Sequence, residues 1–288
     1  MNAFIPIDKE AGSSSFGVIS ALRKILKMRK IGHCGTLDPF ATGLLICATG
    51  QYTRLLRFGE AKDKCYEAEL LLGRQSSTGD PEGEIIAEAP VNIDPACWAS
   101  LKQKVLALQE LPIPQYSAVK IAGKRAYRYA REGQALQMPM RAVQILEFEV
   151  LSDPVQDRFR YHAKVSKGTY IRALSEYIAQ ELGTVGMTIA LRRTAIAGIS
   201  VDRAHSLTEL AENPLATQIS PQELLGHLPS VDLAADRVKA FRNGNGSHIE
   251  APDAAEVAVF TPDKQLLGIA HISAGELLPD IVINGDEA

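Results

Sequence analysis

The spacing of apolar side chains changes along the chain and predicts where its helices lie. Residues 15–28, SFGVISALRKILKM, carry an apolar side chain at every third position, as an amphipathic helix does. These positions are Phe16, Ile19, Leu22 and Ile25. Ser14 or Ser15 can cap this helix with its hydroxyl. Residues 95–108 and 170–182 predict two further helices, and the apolar face of the latter carries Ile171, Leu174, Ile178 and Leu182.

Other segments have the patterns of strands. Residues 43–50, GLLICATG, are almost wholly apolar, which suits a strand buried on both faces of a sheet. Residues 143–152 and 158–166 alternate and are joined by the turn-forming sequence DPVQD, so they predict an antiparallel hairpin. Further strands are predicted at residues 3–8, 65–73 and 186–200.

After His227 the pattern changes. Short apolar pieces, VAVF, LLGIAHI and DIVI, alternate with Gly, Pro, Asn and Asp, and no long helical period is present. This predicts a small all-β domain of about sixty residues, close to the lower size limit for independent folding. We therefore expect two domains, at residues 1–228 and 229–288.

Composition narrows the class of protein. The chain has 288 residues, of which 46% are hydrophobic, so a large core can form. No apolar run approaches the length of a membrane span, and the first residues lack the pattern of a secretory signal. The four cysteines, at positions 34, 47, 65 and 97, have neither disulfide-framework nor zinc-site spacing. We expect a cytoplasmic protein with reduced thiols and no metal.

The net charge of −3 hides an asymmetry. Residues 230–288 carry a net charge of −6, and the rest of the chain carries +3. Five cations lie within LRKILKMRK (residues 22–30), and five lie within KIAGKRAYRYAR (residues 120–131) beside Tyr127 and Tyr129. Because local potential decides whether a phosphate backbone is attracted, these runs favour a nucleic-acid partner. The alternative is that each run is a solvated helix face.

The segment GHCGTLDPFATGLL (residues 32–45) places Asp38 directly before a proline. Pro39 holds Asp38 out of the helical region, and Gly35 and Gly43 allow close approach of another backbone or a ligand. A carboxylate fixed in this way can act as a nucleophile or a base. The alternative is an ordinary turn, since Asp-Pro commonly begins one.

The whole segment resembles the signature of the TruB family, the tRNA pseudouridine-55 synthases. Five other stretches match that family in the same order and extend the resemblance over nearly all of residues 3–200. They are IDKEAGSSS, DKCYEAELLLG, QYSAVKIAGKRAYRYAREG, SKGTYIRALSEYIAQELG and ALRRTAIAGI. Two positions differ from the usual family pattern, where Glu10 replaces a proline and Cys34 replaces a threonine or glycine.

The resemblance assigns roles to individual residues. Asp38 takes the position of the catalytic aspartate, and Arg172 takes the position of the arginine that pairs with this aspartate. Tyr66 takes the position of the tyrosine that packs on the target base. Tyr170 and Leu191 take positions in the pocket wall. The residues expected to contact RNA are His33, Lys9, Lys120, Lys124, Arg125, Arg128 and Arg131. For Lys9, a structural role is the alternative. Without the resemblance, an ordinary strand aromatic is the preferred interpretation of Tyr66.

Arg172 also supports a separate argument. If Thr169 caps the helix, Arg172 lies in its first turn, where a cation opposes the helix dipole at a cost of roughly 0.3–1 kcal/mol. An anionic partner would offset that cost, and Asp38 is the natural candidate to pair with it and stay ionised. The alternative is an exposed arginine lying along its own helix.

The resemblance implies an α+β pseudouridine synthase fold, a mixed, largely antiparallel sheet with flanking helices, followed by a small all-β PUA-like domain. It implies isomerisation of a uridine in the T-loop of tRNA, at position 55, by base flipping and a carboxylate nucleophile. We expect no cofactor, no metal, no membrane contact and no obligatory protein partner, and we expect a monomer bound to the tRNA T-stem-loop. The alternatives are a non-catalytic tRNA-folding chaperone and a relative directed to its sites by guide RNA.

Overall fold

A mixed sheet of eight strands carries the larger part of the chain. The computed structural model describes residues 1–117, 119–121, 123–132, 134, 136–152, 157–213 and 218–284. The strands there are β1 (Phe4–Lys9), β2 (Ile31–Cys34), β3 (Thr42–Thr49), β4 (Lys64–Leu72), β5 (Arg74–Ser76), β6 (Ile85–Glu88), β7 (Glu110–Pro112), β8 (Lys120–Ile121), β9 (Lys124–Arg125), β10 (Met140–Ala142), β11 (Ile145–Val150), β12 (Arg158–Val165), β13 (Gly186–Ile196), β14 (Ile199–Ser200), β15 (Ser230–Asp232), β16 (Ser247–His248), β17 (Ala254–Phe260), β18 (Leu266–Ser273) and β19 (Glu276–Val282).

The helices within the same residues are short. They are α1 (Ser15–Ile25), α2 (Leu56–Glu60), α3 (Pro95–Leu106), α4 (Ala126–Arg131), α5 (Ile171–Glu181), α6 (Leu207–Glu212), α7 (Pro221–Leu225) and α8 (Ala235–Arg242), with 3-10 helices at Gly50–Leu55 and Val201–Arg203. None of them is long and apolar enough to cross a membrane.

The main sheet has the strand order β1-β3-β13-β4-β12-β11, with β2 beside β3 and β14 beside β13. All its pairs are antiparallel except β13 with β3. The predicted mixed, largely antiparallel sheet is therefore confirmed. The predicted hairpin is also present as β11 and β12, while residues 153–156 of its connection lie outside the described part of the chain.

Strand patterns explain which faces are covered. Along β4 buried residues alternate with half-exposed ones, because one face packs on a core formed with α3 and α5. Along β3 every residue from 43 to 49 is buried. Leu45 faces a core formed with α1, whereas Leu44 and Ile46 face a second core on the opposite side. The apolar run thus marks a strand covered on both faces, as predicted.

Two helix predictions need correction at their ends. The Ser14 hydroxyl caps α1 by accepting from the Gly17 N–H, but Phe16 is exposed and the buried face is formed by Val18, Ile19 and Leu22. Phe16 lies in the first turn of α1, and its side chain is largely exposed. The N-cap of α5 is Tyr170 rather than Thr169, and its side chain makes no capping hydrogen bond.

The C-terminal region forms a second sheet with the order β15-β17-β18-β19-β16. Its strand-rich character confirms the PUA-like expectation, but the region also contains α8, which the pattern did not predict. That helix buries only Phe241 among its eight residues, so it lacks the apolar stripe that would reveal it in the sequence. The domain boundary at residues 228 and 229 remains a prediction.

The two sheets share one apolar cluster. Phe4 and Ile46 of the main sheet lie in the same buried cluster as Phe260 and Ile281 of the second sheet. The Asn284 N–H also donates to the side-chain oxygen of Gln51 at 3.1 Å. The second sheet therefore packs directly on the end of the main sheet that carries β1 and β3.

Candidate active site

Asp38 lies in the loop that joins β2 to β3. The Ala41 N–H donates to the Asp38 carbonyl at 3.2 Å, so the Asp-Pro pair does begin a turn. Gly43 follows with φ of 100°, and a Cβ there would lie 2.3 Å from the carbonyl oxygen of Arg193. Only glycine therefore allows β3 to approach β13 so closely. The turn interpretation is correct for the backbone, while the side chain has a further partner.

That partner is Arg172, in the first turn of α5. Its Nε donates to Asp38 Oδ2 at 2.9 Å, and its Nη2 donates to Asp38 Oδ1 at 3.2 Å. The Arg172 side chain is 3% exposed, and that of Asp38 is 33% exposed. The pair is thus the two-point ion pair that a guanidinium forms with a carboxylate. An arginine lying exposed along its own helix is excluded.

Arg172 is held from several sides. It donates to the carbonyl oxygen of Thr78 through Nη1 and to that of Tyr116 at 3.0 Å through Nη2. Its Nη1 also lies 3.5 Å from Oδ2 of Asp80, whose side chain is buried. The guanidinium therefore joins α5 to three other segments and lies between two carboxylates. Its direction is fixed before any ligand binds.

Asp80 was not predicted as a site residue. Its carboxylate accepts from the Thr78 hydroxyl and, at 3.0 Å, from the Glu82 N–H. The sequence STGDPEGE indicates a turn there, and the same Asp-Pro pair occurs as at Asp38. The turn sequence thus predicts the loop, but nothing in it shows that the loop lies against α5.

The pKa of Asp38 is raised above its ordinary value. Burial is the main cause, and the nearby Asp80 carboxylate adds to it, whereas Arg172 and Lys9 oppose the change. The expectation that pairing with Arg172 keeps Asp38 ionised therefore leaves out the opposing effect of burial. A carboxylate with a raised pKa is a stronger base and a less solvated nucleophile.

The Asp38 loop shares an apolar cluster with the other predicted pocket residues. Tyr66 on β4 and Leu191 on β13 are buried in the same apolar cluster as Leu37, which directly precedes Asp38. Leu191 lies opposite Ala68, two residues beyond Tyr66 on the same face of β4. Tyr170 is half-buried and packs against this cluster. The structure thus joins Asp38 to Arg172 directly and places Tyr66, Tyr170 and Leu191 in or against the apolar cluster that includes Leu37.

Lys9 is buried beside the same loop. Its ammonium donates to the carbonyl oxygens of Glu10 at 2.9 Å, Ser13 at 2.6 Å and Pro39 at 3.1 Å. The residue is 1% exposed, and burial lowers its pKa. All three N–H groups are thus used within the protein, which leaves none of them for the predicted RNA contact. Its position supports the structural role instead.

Arg193 is a second buried cation that sequence reasoning missed. It is 1% exposed, and it donates to the carbonyl oxygens of Leu44 at 2.7 Å and Gly35 at 3.0 Å. Its neighbour Arg192 points to the other face and pairs with both oxygens of Asp8. Alternation along a strand predicts one arginine on each face, but the pattern does not indicate which one is buried.

Comparisons with known proteins show the family of this chain. Residues 23–171 match the family model described as TruB family pseudouridylate synthase (N terminal domain). This chain belongs to the TruB family. It is 39% identical to the tRNA pseudouridine synthase B of Streptococcus sanguinis, over 92% of this chain and 94% of that protein. It is 36% identical to the tRNA pseudouridine synthase B of Lactobacillus delbrueckii, over 99% of both.

Solved structures share the TruB fold at low identity. A structure of an H/ACA RNP bound to a substrate RNA containing 2'-deoxyuridine superposes with a TM-score of 0.73 and 19% identity. The superposition covers 98% of this chain and 85% of the chain in that structure. A Cbf5-Nop10-Gar1 complex superposes with a TM-score of 0.72 and 21% identity, over 97% of this chain and 83% of that one. These likenesses establish the pseudouridine synthase fold.

The basic segment of this TruB chain lies on the surface. Lys120 and Arg125 face each other across the two-stranded pair β8–β9, and Arg128 follows on α4; all three are exposed. Lys124 pairs with Glu132 and lies 4.5 Å from the centre of the Tyr129 ring. Arg131 ends α4, and its side chain lies outside the described part of the chain. Three cations are therefore available to an RNA backbone.

His33 lies on β2, five residues before Asp38. Burial lowers its pKa, and Arg193 adds to this effect. Its buried Nδ1 has no hydrogen-bond partner among the described residues. The same residues contain no cluster of three or more His, Cys, Asp or Glu arranged to hold a metal ion.

Proposed function

We propose that this TruB chain isomerises one uridine of tRNA, at position 55 in the T-loop, to pseudouridine. The observation that carries the proposal is the half-buried Asp38, which Arg172 fixes at both oxygens, with Tyr66 in the apolar cluster that includes the preceding residue, Leu37. The relatives named tRNA pseudouridine synthase B, 36–40% identical over most of the chain, supply the substrate class.

The chemistry needs few groups. The reaction breaks the bond between N1 and C1′ of the uridine, turns the base and joins C5 to C1′, with no atom added and no redox change. A carboxylate nucleophile divides this difficult step into easier ones, whether it attacks C1′ or the uracil ring. Asp38 is the carboxylate placed for this attack. Arg172 keeps both of its oxygens oriented.

The target base must first leave the RNA stack. Inside a stem-loop its C1′ and its ring faces are covered by neighbouring bases, so the nucleotide has to be flipped into the pocket. Tyr66 offers an aromatic surface on which the flipped base can stack. Leu191 and Tyr170 complete an apolar wall that keeps water from the reacting atoms. The exposed cations of residues 120–131 hold the phosphates of the same RNA.

No described feature favours the rival functions. A tRNA-folding chaperone needs an RNA-binding surface, but it does not need a buried arginine that fixes a carboxylate at both oxygens. A guide-directed enzyme depends on partner proteins, and the RNP structures that share this fold are too distant to support such partners here. We propose that the chain acts as a cytoplasmic monomer on the tRNA T-stem-loop, without cofactor, metal or protein partner.

The test compares wild-type protein with Asp38→Asn on an unmodified tRNA transcript, without added metal or nucleotide. We expect the wild type to convert a single T-loop uridine and Asp38→Asn to convert none while it still binds the tRNA. Asp157→Asn is the matched control, because Asp157 is exposed and has φ of 65°, which asparagine readily adopts.

Each outcome has a clear meaning. No conversion by folded wild-type protein that binds tRNA would refute the enzymatic proposal and favour the chaperone. Conversion by both wild type and Asp38→Asn would refute the role of Asp38. Conversion at a uridine outside the T-loop would refute the proposed position.

A further inference from the structure

A groove lies beside α1 and is lined in part by the basic run of residues 22–30. It has a volume of about 450 Å³ and is lined by α1, the connection to β2, and β2 itself. We name it the α1 groove and define it by Phe16, Arg23, Arg29, Lys30, His33 and Thr53. Among the described residues, three cations and no carboxylate line it. These three are among the five cations of residues 22–30.

Phe16 is the unusual side chain of this groove. It is 64% exposed, although it is a large apolar residue on an otherwise well-packed helix. The Arg23 guanidinium lies 5.7 Å from the centre of its ring, and the Arg23 Nε donates to the Arg29 carbonyl at 3.0 Å. The ring is thus presented to solvent next to a cation that is itself held in place. Such an arrangement suits stacking of a planar base.

Arg29 and Lys30 provide charge at the same place. Both side chains are exposed, and neither has an acidic partner among the described residues. Two cations left without carboxylates on one short loop raise the local positive potential. Phosphate oxygens are the complementary ligands.

The groove lies close to the reacting carboxylate along the chain. His33 lines the groove, and Asp38 follows five residues later, so the two Cα atoms are at most about 18 Å apart. The buried Nδ1 of His33 has no partner among the described residues, which leaves a polar group unsatisfied beside the groove. One folded RNA can therefore contact Asp38 and the groove together.

We propose that the α1 groove binds the substrate tRNA outside the flipped base, with an unpaired base stacked on Phe16 and backbone phosphates on Arg29 and Lys30. This inference rests on the proposed function for the identity of the RNA. A second copy of the chain is the competing occupant, since residues 230–288 carry net negative charge. RNA is favoured because an exposed ring beside unpaired cations matches a base beside phosphates.

The first test uses a matched pair of variants at one position. Phe16→Leu removes the aromatic ring and keeps apolar bulk, whereas Phe16→Tyr keeps the ring. We expect Phe16→Leu to raise the Kd for an unmodified tRNA transcript at least about fivefold, and Phe16→Tyr to stay within about twofold of the wild type. Both substitutions are at an exposed position, so both proteins should fold. Equal Kd values for Phe16→Leu and the wild type, or equal losses in both variants, would overturn stacking.

The second test measures how strongly tRNA binding depends on salt. We expect the double variant Arg29→Gln with Lys30→Gln to lower the slope of log Kd against log salt concentration by about 1.5, since two phosphate contacts are lost. The control is Lys102→Gln with Arg158→Gln, two exposed cations on α3 and β12 that do not line the groove. An equal change of slope in the control pair would overturn the assignment.

Two further outcomes separate this inference from the proposed function and from a dimer. If the groove variants lose tRNA affinity but the wild type forms no pseudouridine, the groove inference stands and the proposed function fails. If the groove variants bind tRNA like the wild type while the wild type forms pseudouridine, the groove inference fails and the proposed function stands. If sedimentation shows that they lose self-association with unchanged tRNA affinity, the groove is a contact between copies and the inference is overturned.

Discussion

The cations around the Asp38 loop differ from those of residues 120–131 in what they contact. Lys9, Arg172 and Arg193 are buried, and their donors are bound to main-chain carbonyls or to carboxylates. Lys120 and Arg125 are exposed on a small two-stranded pair. The same residue types therefore stabilise a loop in one region and leave charge for a ligand in the other. Burial, not residue type, decides which role a cation has.

The largest effect is expected at the buried cations around the Asp38 loop. Arg172→Gln removes the cation between Asp38 and Asp80 and leaves two carboxylates close together. We expect the free energy of unfolding to fall by roughly 3–5 kcal/mol in urea titration, because a buried ion pair that loses one partner leaves an uncompensated charge. The matched control, Arg128→Gln, should change it by less than about 0.5 kcal/mol. Equal stability of the two variants would contradict the comparison.

Lys9→Met should have the next largest effect. The substitution keeps the length of the side chain but leaves three carbonyl oxygens without their donor, at about 1–3 kcal/mol for an unsatisfied group. Removing the buried ammonium offsets part of this cost, so we expect a net loss of about 2–3 kcal/mol in the free energy of unfolding. Lys120→Met is the exposed control. A loss in Lys120→Met as large as in Lys9→Met would show that burial is not the cause.

The exposed side is tested by removing charge from residues 120–131. The triple variant Lys120→Gln, Arg125→Gln and Arg128→Gln should keep the wild-type free energy of unfolding within about 0.5 kcal/mol. Its Kd for tRNA should rise roughly tenfold, and its salt slope should fall by about 2, because three phosphate contacts are lost. Filter binding over a range of salt concentrations measures both. A stable variant with an unchanged slope would remove these cations from the RNA-binding surface.

The smallest effect is expected at an exposed ion pair. Arg203 donates to Glu223, which also accepts from the Ser220 N–H at the start of α7, and the Arg203 contact is the main cause that lowers the pKa of Glu223 to about 2. Because this pKa lies below the ordinary 4.5, the stabilisation is complete above that pH and is lost as the pH falls towards 2.

Glu223→Gln should therefore lower the free energy of unfolding by only about 0.5–1 kcal/mol at pH 7, since solvent screens the pair. Thermal unfolding at pH 7 and near pH 2 measures the difference, which should vanish at the lower pH. A difference that grows in acid would have the opposite sign to this linkage.

The sequence predicts elements whose pattern is local. β4 alternates, β3 is continuously apolar, and Ser14 stands at the start of α1, so each could be placed from its own residues. The site residues Asp38, Tyr66 and Arg172 followed from the family resemblance, and the Arg172 contact also followed from the helix dipole. Their roles in catalysis remain predictions.

What the sequence did not reveal depends on distant contacts. Asp80 lies in a turn like many others until α5 packs beside it. Arg193 and Arg192 are adjacent, and only the approach of β3 at Gly43 makes one of them buried. The family motif groups Lys9 with the RNA contacts, but the motif does not show that its side chain is buried. α8 has too few apolar residues to be recognised.

The apolar cluster shared by the two sheets has a consequence for how the chain melts. Since Phe4 and Ile46 pack in one cluster with Phe260 and Ile281, neither sheet can lose its fold without exposing part of the other. We expect a single calorimetric transition for the whole chain. A fragment ending at residue 228 would keep every site residue named above and yet present an uncovered apolar face, so it should be prone to self-association. We therefore expect the C-terminal sheet to act as a cooperative cover rather than as a detachable module.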